Sequence, residues 1–163
     1  LRCLHIRGCT RLKSMGTLPA ALDTLIVEGC DSLEQWPDVA DGLPELSELV
    51  LGDQPLVDPV AVRRLVGAAT KLRVLELSRM DKLDRLDSWA KDSLVDVRIK
   101  ECPSFGDGAG KHGGLLRWPS GLRRLELVGT AVSSLPPLPR SLDYIDVQGC
   151  QRLWHVPEPF GHE

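Results

Sequence analysis

Aliphatic residues recur along the chain in a short, fixed pattern. In the first copy they stand at Leu1, Leu4 and Ile6, and after Cys9 a further leucine follows at Leu12. This gives the pattern L-x-x-L-x-L-x-x-C-x-x-L. The pattern begins again at residues 22, 46, 72, 94, 122 and 142. The successive starts are 21, 24, 26, 22, 28 and 20 residues apart, so seven copies cover nearly the whole chain.

The spacing predicts that each copy is one unit of a leucine-rich-repeat solenoid, whose repeats are 20–29 residues long. The alternating L-x-L part has the period of a β-strand with one buried face, and the later leucine closes the turn over the core. Amphipathic helices are the alternative for paired leucines, but the Pro and Gly residues between copies would interrupt them. We therefore predict an α/β fold over residues 1–163, with a curved parallel sheet of about seven repeats and a mostly irregular convex side.

The segments that return from one strand to the next differ in length. One of them, beginning at Asp58-Pro59, has an N-cap residue and a proline suited to the first helical position. Its apolar residues follow helical spacing at Val62, Leu65, Val66 and Ala69. A short helix is predicted there, and the other return segments are predicted to be extended. Residues 103–121 contain six glycines and form the longest insertion.

Composition narrows the possible partners and compartments. The formal charge is −3, from 20 basic and 23 acidic residues, which gives no reason to expect nucleic acid or an anionic membrane as partner. The chain has no apolar run long enough to span a membrane. It opens on Leu1 inside the repeat pattern, and neither end shows a polar cap, so we expect a fragment of a longer solenoid. Five cysteines and no Asn favour free thiols in a reducing compartment.

The sequence contains little evidence of a catalytic or metal-binding site. Four cysteines share the ninth repeat position, where a small apolar side chain packs beside the turn: Cys9, Cys30, Cys102 and Cys150. Cys3 falls outside this set and is the one candidate reactive thiol. Cys150 and His155 supply two ligands where structural zinc takes four. The glycine-rich stretch 106–112 lacks the spacing of a phosphate-binding loop. We therefore expect no catalytic residue, no metal and no cofactor.

Two kinds of repeat carry a resemblance to a known family. The Gly-Cys form in Ile6–Leu12 and Val147–Leu153, and the Gly-Thr-Ala form in Leu127–Pro136, resemble the C-terminal repeats of plant nucleotide-binding leucine-rich-repeat (NLR) immune receptors. The resemblance implies a cytoplasmic receptor for plant defence. In such receptors the repeat domain senses a pathogen effector or a guarded host protein and restrains the nucleotide-binding domain. The expected partner is then the effector or that nucleotide-binding domain.

A second family is similar over one repeat. Leu135–Leu142 reads Leu-Pro-Pro-Leu-Pro-Arg-Ser-Leu, which resembles the repeats of bacterial type III effector ubiquitin ligases. That resemblance implies a substrate-recognition domain attached to an absent catalytic domain. Those repeats usually carry Asn at the ninth position and have nearly constant short periods, unlike this chain.

The surface expected to bind a partner is the concave face of the sheet. If Leu4 and Ile6 point inward, the alternate residues of each strand point to this face and form three columns across the sheet. The first column is Cys3, Thr24, Glu48, Val74, Asp96, Arg124 and Tyr144. The middle column is His5, Ile26, Val50, Glu76, Arg98, Glu126 and Asp146. The third column is Arg7, Glu28, Gly52, Ser78, Lys100, Val128 and Gln148.

Two interpretations of these columns remain open. The charges of Glu76, Arg98 and Glu126 alternate in sign, and Asp96 adjoins Arg124, so the columns can form a solvated ladder of ion pairs. Alternatively they form a recognition surface in which apolar side chains anchor a protein partner. The candidate partner-binding residues are Ile26, Val50, Glu76, Arg98, Lys100, Arg124, Glu126 and Tyr144.

Overall fold

A computed structural model describes residues 1–55, 57–86, 92–108 and 117–158 of the chain. Its seven strands are β1 (Cys3–Arg7), β2 (Thr24–Glu28), β3 (Glu48–Gly52), β4 (Val74–Ser78), β5 (Asp96–Lys100), β6 (Arg124–Val128) and β7 (Tyr144–Asp146). All neighbours pair in parallel, in the order of the sequence, within one sheet. Helix α1 (Pro59–Ala68) lies between β3 and β4. The predicted leucine-rich-repeat solenoid is confirmed.

Each strand buries the residues that the L-x-L pattern places inward. Leu25 and Val27 of β2 are fully buried, and so are the equivalent residues of β3 to β6. In β1, by contrast, Leu4 and Ile6 are only partly buried, because this strand has a neighbour on one side alone. The aliphatic core is therefore continuous along the solenoid and thins at both ends.

The eighth position of each repeat, which directly follows strands β1 to β6 and lies three residues after β7, adopts a left-handed backbone conformation where the chain turns out of the sheet. Four repeats have glycine there, with φ between 64° and 69°: Gly8, Gly29, Gly129 and Gly149. The three central repeats have larger residues, with φ of 51° to 53°: Asp53, Arg79 and Glu101. This turn lets the backbone N–H donate to the next strand, as Gly8 does to the Glu28 carbonyl at 2.9 Å.

The ninth position of the repeat ties the turn to the backbone. The buried thiols of Cys30 and Cys102 donate to the carbonyls of Glu28 and Lys100 at 3.5 and 3.4 Å. Cys9 departs from the predicted packing, because it lies in the first repeat and is exposed. In the third repeat Gln54 takes this position, and its amide, oriented by hydrogen bonding, bonds both the N–H and the carbonyl of Cys30 at 3.0 Å.

The predicted helix is present and begins as the sequence indicates. The Asp58 side chain caps it by accepting a hydrogen bond from the Val60 N–H at 2.9 Å, and Pro59 occupies the first turn. Its inward residues Val62, Leu65 and Val66 are buried against the sheet core. Packing on the core therefore maintains a helix of 10 residues, a length that is marginal in isolation.

The flanks of the glycine-rich insertion belong to the packed structure. Phe105 is fully buried, and the Trp118 indole donates to the Pro136 carbonyl at 3.1 Å. Gly106 has a φ of 85°, and a Cβ there would stand 2.5 Å from Val132 Cγ2, so only glycine fits. The middle of the predicted insertion, residues 109–116, lies outside the described residues.

Replacing Gly129 by Ala should destabilise the fold by about 1–2 kcal/mol, the cost of a left-handed conformation for a residue with a Cβ. Space is not the cause, because the new Cβ would meet Glu101 Cα at an ordinary 3.5 Å. Gly67→Ala is the matched control. Gly67 lies in α1 with nothing within 4 Å of an added Cβ, so alanine should stabilise the fold. Urea unfolding of both variants measures the difference, and equal effects would contradict this reading of the turn.

The five thiols should be free, with two reactivity classes in the native protein. Cys3 and Cys9 are exposed, whereas burial raises the pKa of Cys102 to about 11 and also raises the pKa of Cys30. Because the thiolate is the reactive form, a colorimetric thiol reagent at mildly alkaline pH should modify two cysteines quickly. Unfolding without reductant should release all five. Three or fewer thiols in the unfolded protein would contradict the expectation that all five are free. Fast modification of Cys102 in the native protein would contradict the expectation that its burial protects it.

Candidate functional site

The concave face consists of the outward residues of β1 to β7, in the three columns that the sequence predicts. Strand register places Glu76, Arg98 and Glu126 side by side in the middle column, and Asp96 beside Arg124 in the first. All pairs of the first two columns are confirmed, and those of the third are confirmed as far as Val128. The eight candidate partner-binding residues therefore lie on one surface, with neighbours in a column about 4.8 Å apart.

Two of the apolar candidates are less accessible than strand alternation suggests. Ile26 and Val50 are only 7% and 8% exposed. They stand next to each other in the middle column, between other strands, so the neighbouring side chains cover them. Tyr144 lies on the last strand and is 44% exposed. The apolar surface that a partner could reach is thus at Tyr144 rather than at the Ile26–Val50 pair.

Glu126 is the most buried charge on the concave face and has two cationic partners. It is 4% exposed, accepts from Lys100 Nζ at 2.9 Å, and also accepts a hydrogen bond from the Arg124 guanidinium. Burial alone would raise the pKa of the Glu126 carboxyl. The hydrogen bonds from Lys100 and Arg124 outweigh burial, so its pKa is lowered and the carboxylate stays charged.

Arg98 binds mainly to its own strand. Its guanidinium donates twice to the Asp96 carboxylate, at 3.0 and 2.8 Å, and lies 3.6 Å from Glu76 across the sheet. The hydrogen bonds to Asp96 raise the pKa of Arg98. The predicted ladder along the middle column is thus present between Glu76 and Arg98, whereas the described contacts of Glu126 go to Lys100 and Arg124. The ion pairs cross between columns because the side chains of Arg98 and Arg124 reach the second residue along their own strand, and the side chain of Lys100 reaches Glu126 on the next strand.

Arg124 also contacts the exposed aromatic ring. Its guanidinium carbon lies 4.3 Å from the centroid of the Tyr144 ring, within cation–π range, while the same group binds Glu126. Tyr144 is therefore held between a fixed arginine and solvent. Arg124 thus links Glu126 on its own strand to Tyr144 on β7.

A further ion cluster, which the repeat pattern alone did not predict, lies beside the concave face. Arg79 donates to Asp53 at 2.9 Å and to Glu101 at 2.8 Å, and these hydrogen bonds raise its pKa. These are the three residues that replace glycine in the left-handed turn. The signal was present in the sequence, as acidic, basic and acidic residues at one repeat position in consecutive copies.

Within the ranges that the structure describes, no cluster of three or more His, Cys, Asp or Glu side chains could hold a metal ion. Lys111 and His112 of the glycine-rich stretch lie outside those ranges. No described helix is both long and apolar enough to cross a membrane.

Replacing Glu126 by Gln should destabilise the fold by about 1–3 kcal/mol at neutral pH, because it removes the negative charge that Lys100 and Arg124 share and replaces one of the two acceptor oxygens with an NH2 donor. The lowered pKa means that the wild-type advantage is present at pH values above the carboxyl's unfolded pKa. It should be lost as the pH falls through the lower pKa of the folded state.

Glu48→Gln is the control, since Glu48 lies on the same face and has no ion-pair partner among the described residues. Urea unfolding of both variants from neutral to acidic pH measures the effect. If the loss of unfolding free energy caused by Glu126→Gln is the same at neutral and acidic pH, the ionised carboxylate does not stabilise this network.

Comparison with known proteins points in one direction. The chain is 27% identical over 175 residues to disease resistance protein RPS4B of Arabidopsis thaliana, covering 98% of this chain and 15% of that protein. Disease resistance protein RRS1 of the same plant is 26% identical over 160 residues, covering 91% of the chain and 12% of that protein. RRS1B is 27% identical over 192 residues, covering 94% and 14%.

The chain thus spans only 12–15% of the length of these relatives. No protein-family model and no solved structure matches it. The relatives agree with the family that the Gly-Cys and Gly-Thr-Ala repeats resemble. The chain is a leucine-rich-repeat solenoid, and nearly its whole length is similar to a segment of plant disease resistance proteins.

Proposed function

We propose that this solenoid is the protein-recognition and autoinhibitory repeat domain of a plant NLR disease resistance receptor. It binds a pathogen effector, or a host protein that the effector modifies, and without that signal it binds the receptor's own nucleotide-binding domain. The similarity to disease resistance proteins over 91–98% of the chain is the observation that carries this proposal. The receptor acts in the cytoplasm, where its thiols stay reduced.

The concave face supports a role in protein binding rather than catalysis. Its cationic side chains on β5 and β6 are partly exposed and already held by hydrogen bonds to neighbours, so little entropy is lost in ordering them when a partner binds. Arg98 is held by Asp96, and Lys100 and Arg124 are held by Glu126. Such pre-arranged guanidinium and ammonium groups suit the carboxylates of a protein partner.

The candidates divide by accessibility into two groups. Arg98, Lys100, Arg124 and Tyr144 retain the exposure needed for direct contact. Ile26, Val50, Glu76 and Glu126 are more covered and act by holding that surface in place. We therefore place the centre of the binding surface on β5 to β7. No enzymatic step is proposed for any of these residues.

Replacing Arg98 by Glu tests the proposal. The change places an acidic side chain beside Asp96 and between Glu76 and Glu126 of the middle column, so a partner carboxylate is repelled and affinity should fall roughly tenfold or more. Folding should survive, because Arg98 is partly exposed and the new charge can be hydrated. The measurement is the defence response in leaf cells expressing the complete receptor, with and without the matching effector. A thermal melt of the repeat domain accompanies it.

Arg64→Glu is the matched control, since it makes the same charge change on the exposed side of α1. Whether the defence response is lost or becomes independent of the effector distinguishes the two proposed roles of the domain. Loss of the effector-triggered response indicates recognition, and a response without effector indicates lost autoinhibition. If Arg98→Glu melts normally and behaves like Arg64→Glu in both conditions, the concave face is not the partner-binding surface.

A further inference from the structure

Side chains at the ninth position of successive repeats contact one another along the turn side of the sheet. Thr130 Oγ1 lies 3.2 Å from Cys150 Sγ in the next repeat, within hydrogen-bonding distance. The amide of Gln54 bonds the backbone N–H and carbonyl of Cys30 in the preceding repeat at 3.0 Å. Residues at this position therefore lie close enough to their equivalents in neighbouring repeats to react with them.

Cys9 and Cys30 are the only two cysteines that occupy this position in consecutive repeats. The turns that carry them stack closely, since a Cβ added to Gly29 would lie 3.7 Å from Gly8 Cα. Burial raises the pKa of the Cys30 thiol, and Cys9 acts on the same pKa through both its backbone and its thiol. Parallel neighbours lie about 4.8 Å apart, inside the range of about 4.4–6.8 Å between Cα atoms that a disulfide spans. The first two repeats thus hold two thiols at disulfide distance.

In the reduced protein both thiols donate hydrogen bonds to the backbone where the strands end. Cys9 Sγ donates to the Arg7 carbonyl at 3.6 Å, and Cys30 Sγ donates to the Glu28 carbonyl at 3.5 Å. The side chains of Arg7 and Glu28 form an ion pair at 2.6 Å in the third column of the concave face. A bond between the two sulfur atoms would remove both S–H donors and join the two turns beside this ion pair.

We propose that Cys9 and Cys30 form a redox-sensitive pair, which peroxide converts into a disulfide between the first and second repeats. The pair stays reduced in a reducing compartment and closes when peroxide is present. The contact lies between two repeats of the chain and does not depend on what precedes Leu1. It is also independent of the proposed receptor function, because none of the eight candidate partner-binding residues takes part.

The oxidation has two steps. The Cys9 thiolate attacks one peroxide oxygen, so that an S–O bond forms, the O–O bond breaks, and the hydroxide that leaves takes up the thiol proton as water. The Cys9 sulfur is thereby oxidised to a sulfenic acid and the peroxide is reduced. The Cys30 sulfur then attacks the Cys9 sulfur, forming the S–S bond while the S–O bond breaks, and the hydroxyl group leaves as water with the Cys30 proton. A small dithiol reverses the bond by exchange and is itself oxidised to a disulfide.

Peptide mapping without reductant tests the pairing on the 163-residue protein. Protein that is first fully reduced and then treated with a small excess of hydrogen peroxide should fall from five free thiols to three, because two enter the disulfide. Trypsin separates the cysteines of the first two repeats into peptides 3–7, 8–11 and 14–63, which contain Cys3, Cys9 and Cys30 respectively. The expected product is peptide 8–11 linked to peptide 14–63. A link from peptide 3–7 instead, links between molecules alone, or oxygen added to Cys9 without a link would overturn the proposal.

Two serine variants and an unfolding measurement test whether the bond belongs to the native fold. In Cys9→Ser, Cys30 should remain a free thiol after the same treatment. Cys3→Ser is the matched control, because it removes the other exposed thiol and leaves the pair intact, so Cys30 should be oxidised as in wild type. Equal oxidation of Cys30 in the two variants would overturn the proposal.

The disulfide restricts the unfolded chain between residues 9 and 30, so oxidised wild type should unfold at a higher urea concentration than reduced wild type. Reductant should remove the difference, and peroxide should leave the urea midpoint of Cys9→Ser unchanged. An unchanged or lower midpoint for oxidised wild type would show that the native turns do not accommodate the bond, which would also overturn the proposal.

Discussion

The stacking of aliphatic side chains between in-register strands is the interaction on which the rest of this structure depends. Leu25, Leu49 and Leu75 are fully buried next to one another, and the same row continues along the sheet. Burying one leucine contributes about 1.5–3 kcal/mol, whereas an exposed ion pair contributes about 0–1 kcal/mol. The fold is therefore maintained from the inner face. The concave face of the sheet can therefore carry charged side chains, most of whose ion pairs contribute less to stability than one buried leucine does.

The sequence was sufficient to predict the fold because the same pattern of buried and exposed positions recurs in every repeat. The L-x-L period gave the strands, and equal positions in successive copies gave the register, which the structure confirms from Cys3 beside Thr24 to Glu126 beside Asp146. The helix was predictable from Asp58-Pro59 for the same kind of reason, since a cap and a first-turn proline act locally. Helix capping, which acts locally, and strand register, which recurs in each repeat, can both be predicted from a single sequence.

The partners of the charged side chains could not be predicted in the same way. Column neighbours are fixed by the backbone, but arginine and lysine have long, flexible side chains that reach several carboxylates at similar distances. Arg98 pairs with Asp96 on its own strand, and Glu126 pairs with Lys100 from a different column. The burial of Ile26 and Val50 escaped prediction for a related reason, since alternation states which face a residue occupies but not how far its neighbours cover it.

The separation between a constant sheet and variable return segments has an evolutionary consequence. Repeat starts differ by 20 to 28 residues, yet adjacent strands stay in the same register throughout. Insertions and deletions behind the sheet therefore leave the opposite surface undisturbed, and a single substitution on that surface leaves the backbone undisturbed. The lengths of the return segments and the side chains on the sheet surface can therefore change independently. A lineage with such a scaffold can therefore vary the exposed side chains of the concave face by point mutation while the register of the sheet is kept.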